Sequence, residues 1–236
     1  MNTLVIIPTY NERDNIAALV ERLLQHDGVS VLVVDDQSPD GTGQVAETLA
    51  ASHPANVEVI HRTTRRGFGR SYIDGIRRAI AQPRDFICQM DADFSHDPAQ
   101  LPALIAGAAR GDVVIGSRYA PGGAVVNWPQ RRRLLSRFAN TYVRTLTGMR
   151  ALDCTSGYRC WRREALASLP LDGFVSDGYS FLVEMLFIAA RQGRRIVEVP
   201  IIYTERREGQ SKMSNSVILE SAITPWRLIA TRGRVR

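Results

Sequence analysis

Two aspartates one residue apart carry the first chemical signal in this chain. Asp91 and Asp93 stand in Phe86-Ile-Cys-Gln-Met-Asp-Ala-Asp-Phe-Ser-His-Asp-Pro98, with Asp97 close behind. Carboxylates so spaced suit a hard divalent cation that keeps several waters and takes its remaining oxygens from a substrate diphosphate. The competing reading is structural: Asp93, Ser95 and Asp97 also suit the capping of a helix beginning near Pro98. A complementary set is cationic. Arg118 closes Gly116-Ser-Arg118. Arg132 and Ser136 lie one turn apart near the start of an apolar helical stripe, where guanidinium, hydroxyl and helix N-terminus together can hold a phosphate; a solvated basic face is the alternative. Tyr203 to Met213 forms a cationic loop with Gly209 as pivot, a lid over a bound diphosphate. Arg62 to Arg70 is a second basic loop, either a phosphate contact or a solvated turn. Its Gly67 and Gly69 lack the third glycine of a dinucleotide fingerprint.

These residues need elements to position them. Phe86 to Met90 reads as a short apolar strand, which sets Asp91 and Asp93 at its carboxyl end, where open α/β sheets hold ligands; Pro98 then opens a helix. Leu4 to Ile7 is a first strand. It stops at Pro8-Thr-Tyr-Asn-Glu12, and Ile16, Leu19, Val20, Leu23 and Leu24 follow at helical spacing. Val29 to Val34 is a second strand, ending in Asp35-Asp36-Gln-Ser-Pro-Asp-Gly-Thr42 before a helix to about Ser52. Val57 to Ile60, a helix bearing Ile73, Ile76 and Ile80, a helix from Leu101 to Ala109 and a strand Val113 to Ile115 continue the alternation. Tyr119 to Pro129, rich in Gly and Pro, reads as a long binding loop. Leu134, Leu135, Phe138, Tyr142 and Val143 stripe the next helix. Asp153 to Trp161 is a polar turn into a strand, Phe181 to Ile188 a core helix, and Arg195 to Ile202 a last strand of the sheet. The whole predicts an α/β fold, one domain with a mostly parallel sheet flanked by helices. The tail from Val217 to Arg236 mixes Ile218, Ile223, Trp226, Leu228 and Ile229 with four arginines, either an interfacial helix or a helix packed on the domain.

Composition bounds the partners. The 236 residues carry a formal charge of +6, which calls for an anionic partner: phosphate-bearing substrate, membrane surface or nucleic acid. The clustering of acids at strand ends, with no interleaving of aromatic and basic residues, argues against nucleic acid. Cys88, Cys154 and Cys160 have no metal-ligand spacing and read as packing thiols. No uncharged apolar run approaches the roughly 18 residues of a membrane span, and no basic flank opens the chain, so a cytoplasmic protein is expected.

Seven stretches, in order, carry a resemblance: Pro8-Thr-Tyr-Asn-Glu-Arg13, Val34-Asp-Asp-Gln-Ser-Pro-Asp-Gly-Thr42, Met90-Asp-Ala-Asp-Phe-Ser-His96, Gly116-Ser-Arg-Tyr119, Trp128 with Arg132, Ser136 and Asn140, Thr155-Ser-Gly-Tyr-Arg159, and Arg206 with Gly209-Gln-Ser-Lys212. From Leu4 to about Ser214 the sequence resembles the polyprenyl-phosphate (dolichol-phosphate) mannose synthases, a branch of the family-2 inverting glycosyltransferases with the A-type glycosyltransferase fold, built on a Rossmann-like sheet. The resemblance implies metal-dependent inverting transfer of mannose from GDP-mannose to a polyprenyl or dolichyl phosphate. It implies that Pro8, Tyr10, Glu12, Val34 and Asp36 hold the nucleotide's base and ribose, and that Asp91, Ala92 and Asp93 meet its diphosphate. Asp91 and Asp93 would bind Mg²⁺ or Mn²⁺; Arg206 and Lys212 would cover the diphosphate. Arg118, Arg132 and Ser136 would hold the acceptor phosphate, so that Asp91, Asp93, Arg118 and Arg132 form the catalytic set. Some members carry Gln where Ser95 stands. A peripheral place on the cytoplasmic membrane face is expected, through a basic amphipathic helix at 215–236 appended to a 1–214 glycosyltransferase domain, with a membrane-anchored partner protein as a further option. A glucosyltransferase using UDP-glucose shares nearly every motif.

Overall fold

The computed structural model describes residues 1–178, 180–205 and 215–231. Among them, seven strands form one sheet: β1 (Thr3–Thr9), β2 (Val29–Asp35), β3 (Val57–His61), β4 (Phe86–Gln89), β5 (Val113–Ser117), β7 (Arg159–Arg162) and β8 (Ile196–Pro200). Their order is β3-β2-β1-β4-β7-β5-β8, and every pairing is parallel except the two made by β7. β1 and β2 are continuous apolar runs because side chains alternate between two covered faces. Leu4 and Ile6 enter one core with Leu32 and Val34, while Val5 and Ile7 enter the other with Val31 and Val33.

Helices supply both layers. α1 (Arg13–Leu24), α2 (Thr42–Ser52) and α4 (Leu101–Gly107) pack on the Val5 face through Ile16, Leu19, Leu49 and Leu104. α3 (Phe68–Ile80), α6 (Arg163–Ala167) and α7 (Ser180–Arg191) pack on the other face, joined at one end by α5 (Gln130–Thr147) and α8 (Asn215–Ala230). The α/β class and mostly parallel sheet expected from the sequence are the ones observed.

Three local expectations change. Arg195 to Ile202 is not one strand: Pro200, without an N–H, ends β8, and the chain passes through buried Ile201 into β9 (Ile202–Thr204). The stretch from Tyr119 to Pro129 is not all loop, because β6 (Ala124–Val126) pairs in parallel with β9 as a separate two-stranded sheet. Pro98 opens a 3₁₀ turn, Pro98–Gln100, rather than the helix itself, which begins at Leu101.

Candidate active site

The strand order reverses between β1 and β4: β2 and β3 follow on one side of β1, and β4 lies on the other. A crevice opens at the carboxyl ends of strands placed so. Three loops border it, and each contains a non-glycine residue in the left-handed region: Asn11 at φ 58° after β1, Gln37 at 61° after β2 and Phe94 at 59° after β4. Left-handed backbone is uncommon for side chains longer than Asn, so Gln37 and Phe94 are held there against local preference by what surrounds them.

Asp36 accepts hydrogen bonds from the Arg62 guanidinium and from Gly67 N at 2.9 Å, and Arg62 also donates to Asp74 at 2.7 Å. Arg62 is buried, so this end of the Arg62–Arg70 loop is a structural clamp on Asp36 and not a solvated turn. Arg66 stacks 4.9 Å over the Tyr10 ring and donates to its hydroxyl. The Glu12 carboxylate accepts from Asn15 Nδ2 at 3.0 Å, and its N–H donates to Thr42 Oγ1 at 2.9 Å. Val34 pairs in register with Pro8 and its side chain is wholly buried, as is that of Ala92, so contacts either makes with a ligand run through the main chain.

At the end of β4, both sequence readings hold in part. Asp97 Oδ1 caps the 3₁₀ turn through Ala99 N at 3.0 Å, and Asp93 Oδ1 closes an Asx turn on Ser95 N at 3.0 Å. Asp91 instead turns a carboxylate that is 20% exposed towards a cavity. His96, fully buried, accepts from Asp91 N at Nδ1 (3.2 Å), which puts its proton on Nε2; the same Nδ1 lies 4.0 Å from Asp91 Oδ2. Among the described residues no three His, Cys, Asp or Glu side chains converge as a protein cage for a metal. Two carboxylates at a strand end, one of them facing an open cavity, nevertheless fit a hard cation that draws its other oxygens from phosphate and water.

The cationic partners come from β5 and α5. Arg118, at the end of β5, grips Asp153 in a bidentate pair, Nε to Oδ2 and Nη2 to Oδ1, both 2.7 Å, and Nη2 also donates to Thr155 Oγ1 at 2.7 Å. Burial alone would lower the guanidinium's pKa and raise the carboxyl's; the pair's mutual charge and hydrogen bonds outweigh it, raising Arg118 and depressing Asp153. Asn140 ties this pair to α5, donating to Ser136 O (3.0 Å) and Thr155 Oγ1 (3.1 Å) while accepting from Cys154 N (2.8 Å). Arg159, fully buried, binds the carbonyls of Ser156, Leu182 and Cys154, fixing the Thr155-Ser156-Gly157 turn; burial pushes its pKa down to about 10. Arg132 pairs with Glu205 and lies 4.0 Å over the Trp128 ring, and Ser136 Oγ accepts from the Tyr119 hydroxyl at 2.7 Å.

Aromatic rings bridge the acidic and cationic ends. His96 stacks on Tyr158 (5.0 Å) and meets the edge of Tyr203 (5.5 Å), and Tyr203 meets Trp128 (5.3 Å). The Arg118 guanidinium lies 5.4 Å from the Tyr203 ring. Burial, reinforced by the charges of Asp91 and Asp93, pushes the Tyr203 phenol up to about 12.

One cavity of about 450 Å³ contains Asp91, Arg118, Arg132 and Ser136 at its polar end. The rest of its wall is mostly apolar, with Leu135, Phe138 and Val143 of α5, Leu182 and Val183 of α7, and Pro225 of α8, interrupted by the hydroxyls of Ser180, Ser221 and Thr224. Tyr10, Glu12, Val34 and Asp36 do not line it; they lie on the β1 and β2 side of Asp91. Arg206 and Lys212 fall outside the described residues. Sequence reasoning passed over Asp153, His96, Tyr203 and Glu205. His96 follows the end of β4, Tyr203 lies in β9 and Glu205 follows it, whereas Asp153 sits in the turn between α5 and β7; a buried partner for Arg118 was a foreseeable need.

The comparisons with known proteins agree with this architecture. Residues 4–169 match the Glycosyl transferase family 2 model. The chain is 47% identical over 235 residues to the undecaprenyl-phosphate mannosyltransferase of Micrococcus luteus, covering 98% of this chain and 96% of that protein. It is 46% identical to the polyprenol monophosphomannose synthase of Mycolicibacterium smegmatis, covering 99% and 91%. Glucosyl-3-phosphoglycerate synthase from Mycobacterium tuberculosis, solved with Mn²⁺, UDP-glucose and phosphoglyceric acid, shares the fold at a TM-score of 0.67 and 19% identity, over 95% of this chain and 79% of that one.

Proposed function

Since the chain belongs to glycosyl transferase family 2, we propose that it transfers mannose from GDP-mannose to the phosphate of a polyprenyl phosphate, with inversion at the anomeric carbon. The observation that carries this reading is the single cavity in which Asp91, Arg118 and Arg132 face one polar end and an apolar cleft leads away between α5 and α8. A phosphate on a long hydrocarbon needs both halves.

The chemistry is one displacement. A phosphate oxygen of the acceptor attacks the anomeric carbon, the bond from that carbon to the nucleoside diphosphate breaks, and the diphosphate takes the electron pair. A phosphate monoester with a second pKa near ~6 is already a nucleophile at neutral pH, so no side chain has to remove a proton. What the chain supplies is charge and position. Asp91 and Asp93 would hold Mg²⁺ or Mn²⁺, which when bound neutralises the departing diphosphate. Arg132 and the guanidinium face of Arg118 not taken by Asp153 hold the incoming phosphate, with Ser136 as a further ligand. Tyr10, Glu12 and Asp36 bind the nucleoside, and Arg206 and Lys212 cover its diphosphate.

The acceptor's hydrocarbon keeps the enzyme at a bilayer, which we assign to the cytoplasmic membrane face. Among the described residues no helix is long and apolar enough to cross a membrane. Docking instead falls to the outward side of α5 and α8, the latter being the element appended to the 1–214 catalytic unit. Leu134 and Phe138 are 67% and 66% exposed, and Trp226 is 58% exposed beside Ile223 and Ile229.

Incubation with radiolabelled GDP-mannose, a short polyprenyl phosphate and Mn²⁺ should yield a labelled lipid product, and Asp93→Asn should reduce its formation at least about a hundredfold. UDP-glucose in a parallel reaction should give little. Label transferred from UDP-glucose alone would replace mannose by glucose, and transfer unaffected by Asp93→Asn or chelator would remove the metal from the reading.

A further inference from the structure

α5 has a second flank. On the side away from the acceptor cleft lies another cavity, of about 300 Å³, whose walls include Arg118, Arg137, Arg144, Asn140, Thr141 and Tyr119. No acid lines it. The two carboxylates behind it are already committed, Asp153 to Arg118 and Glu198 to the N–H groups of Leu152 (2.8 Å) and Asp153 (3.0 Å). Arg137 and Arg144 have no ion pair among the described residues, and the buried Nε of Arg144 has no hydrogen-bond partner there. Arg118 is neutralised by Asp153 and Arg137 is exposed beside the Tyr119 ring, so the unmet buried donor is Nε of Arg144; a tetrahedral oxyanion fills it and takes further N–H···O bonds from Arg137.

Helix geometry sets where that cavity faces. At 100° per residue Arg137, Thr141 and Arg144 share one side of α5, and Arg132, Ser136, Ala139 and Val143 share the opposite side, on the acceptor cavity. Leu134 forms an exposed crest between the two, with Phe138 beside it at the rim of the acceptor cavity. Arg118 stands in the wall common to both cavities.

We propose that this second cavity is a binding site for a phosphate ester, distinct from the reacting phosphate, supplied by an anionic phospholipid headgroup or by a free phosphate ester. The headgroup source rests on the reading of the α5 crest as the membrane face; the site itself does not. The test compares wild type with Arg137→Gln/Arg144→Gln. Glycerol 3-phosphate is titrated calorimetrically, and flotation is measured with vesicles of phosphatidylcholine alone and with phosphatidylglycerol added. A control pair, Arg110→Gln/Arg191→Gln, removes the same charge from exposed positions outside both cavities. The expected result is a loss of about tenfold or more in affinity for the double variant and little change in the control. Loss in the titration identifies a free ester, and loss confined to phosphatidylglycerol vesicles identifies the headgroup. Thr141→Trp, which fills the cavity and keeps its charge, should reproduce the loss should the double variant fold poorly. Wild type that binds neither probe, a double variant within twofold of wild type on both, or an equal loss in the control overturns the proposal. The titration needs neither membrane nor sugar transfer, so an enzyme inactive towards GDP-mannose would leave its result readable.

Discussion

Arg118 does two jobs with one guanidinium. Its Nε and Nη2 edge is fixed by fully buried Asp153, leaving the remaining edge for the cavity. Replacing it with Ala would strand a buried carboxylate, so a fall in activity there would confuse folding with chemistry. Arg132 separates the two: its partner Glu205 is part-exposed, and Arg132→Ala should raise KM for the lipid phosphate about tenfold or lower kcat while leaving nucleotide affinity within twofold, read by product formation and by nucleotide titration. Equal loss of nucleotide binding would assign Arg132 elsewhere. Asp153→Asn should cost about 3 kcal/mol, as for a broken buried pair. Its pH signature follows from the depressed folded carboxyl. With the folded pKa below the unfolded value near ~3.9, the pair's contribution is full above that pH and disappears as pH falls through the folded value. The gap in melting temperature between wild type and Asp153→Asn should therefore be constant from pH 5 to 8 and close in acid.

Among the elements, α5 decides most, since one flank holds Arg132 and Ser136 and its far end must stop before the Asp153 turn. It stops at Gly148, left-handed at φ 72°, where an added Cβ would meet nothing within 4 Å. Gly148→Ala should lower stability by about 1 kcal/mol, through backbone conformation alone, with transfer unchanged; thermal melts and the activity assay check both halves. The element order was largely legible because apolar strands and striped helices have distinct periods, and each acidic or polar motif fell at a strand's carboxyl end. What escaped depended on distant partners. β7 is four residues long and enters between β4 and β5 against their direction, which no local pattern announces. Pro200 marks the end of β8 locally, but the pairing that makes β9 a strand depends on β6, some 75 residues earlier in the chain. Asp153 finds Arg118 across 35 residues of sequence, and Tyr203 finds His96 and Trp128 only once β9 has formed.

For the molecule as a whole, α8 serves both of the purposes between which its sequence could not decide. Thr224, Pro225 and Leu228 are buried against α5 and α7, and Ile223, Trp226 and Ile229 face outward beside the exposed crest of α5. Ile223→Ser/Trp226→Ser should therefore leave the melting temperature nearly unchanged, while flotation with liposomes falls severalfold. Unaltered flotation would move docking to another surface. The three left-handed residues around the crevice, Asn11, Gln37 and Phe94, bear on redesign. Directed evolution aimed at a different sugar nucleotide would do best to hold these positions constant and randomise their neighbours, because a library that relaxes these strand-to-helix bends would scatter its clones before selection could act on recognition.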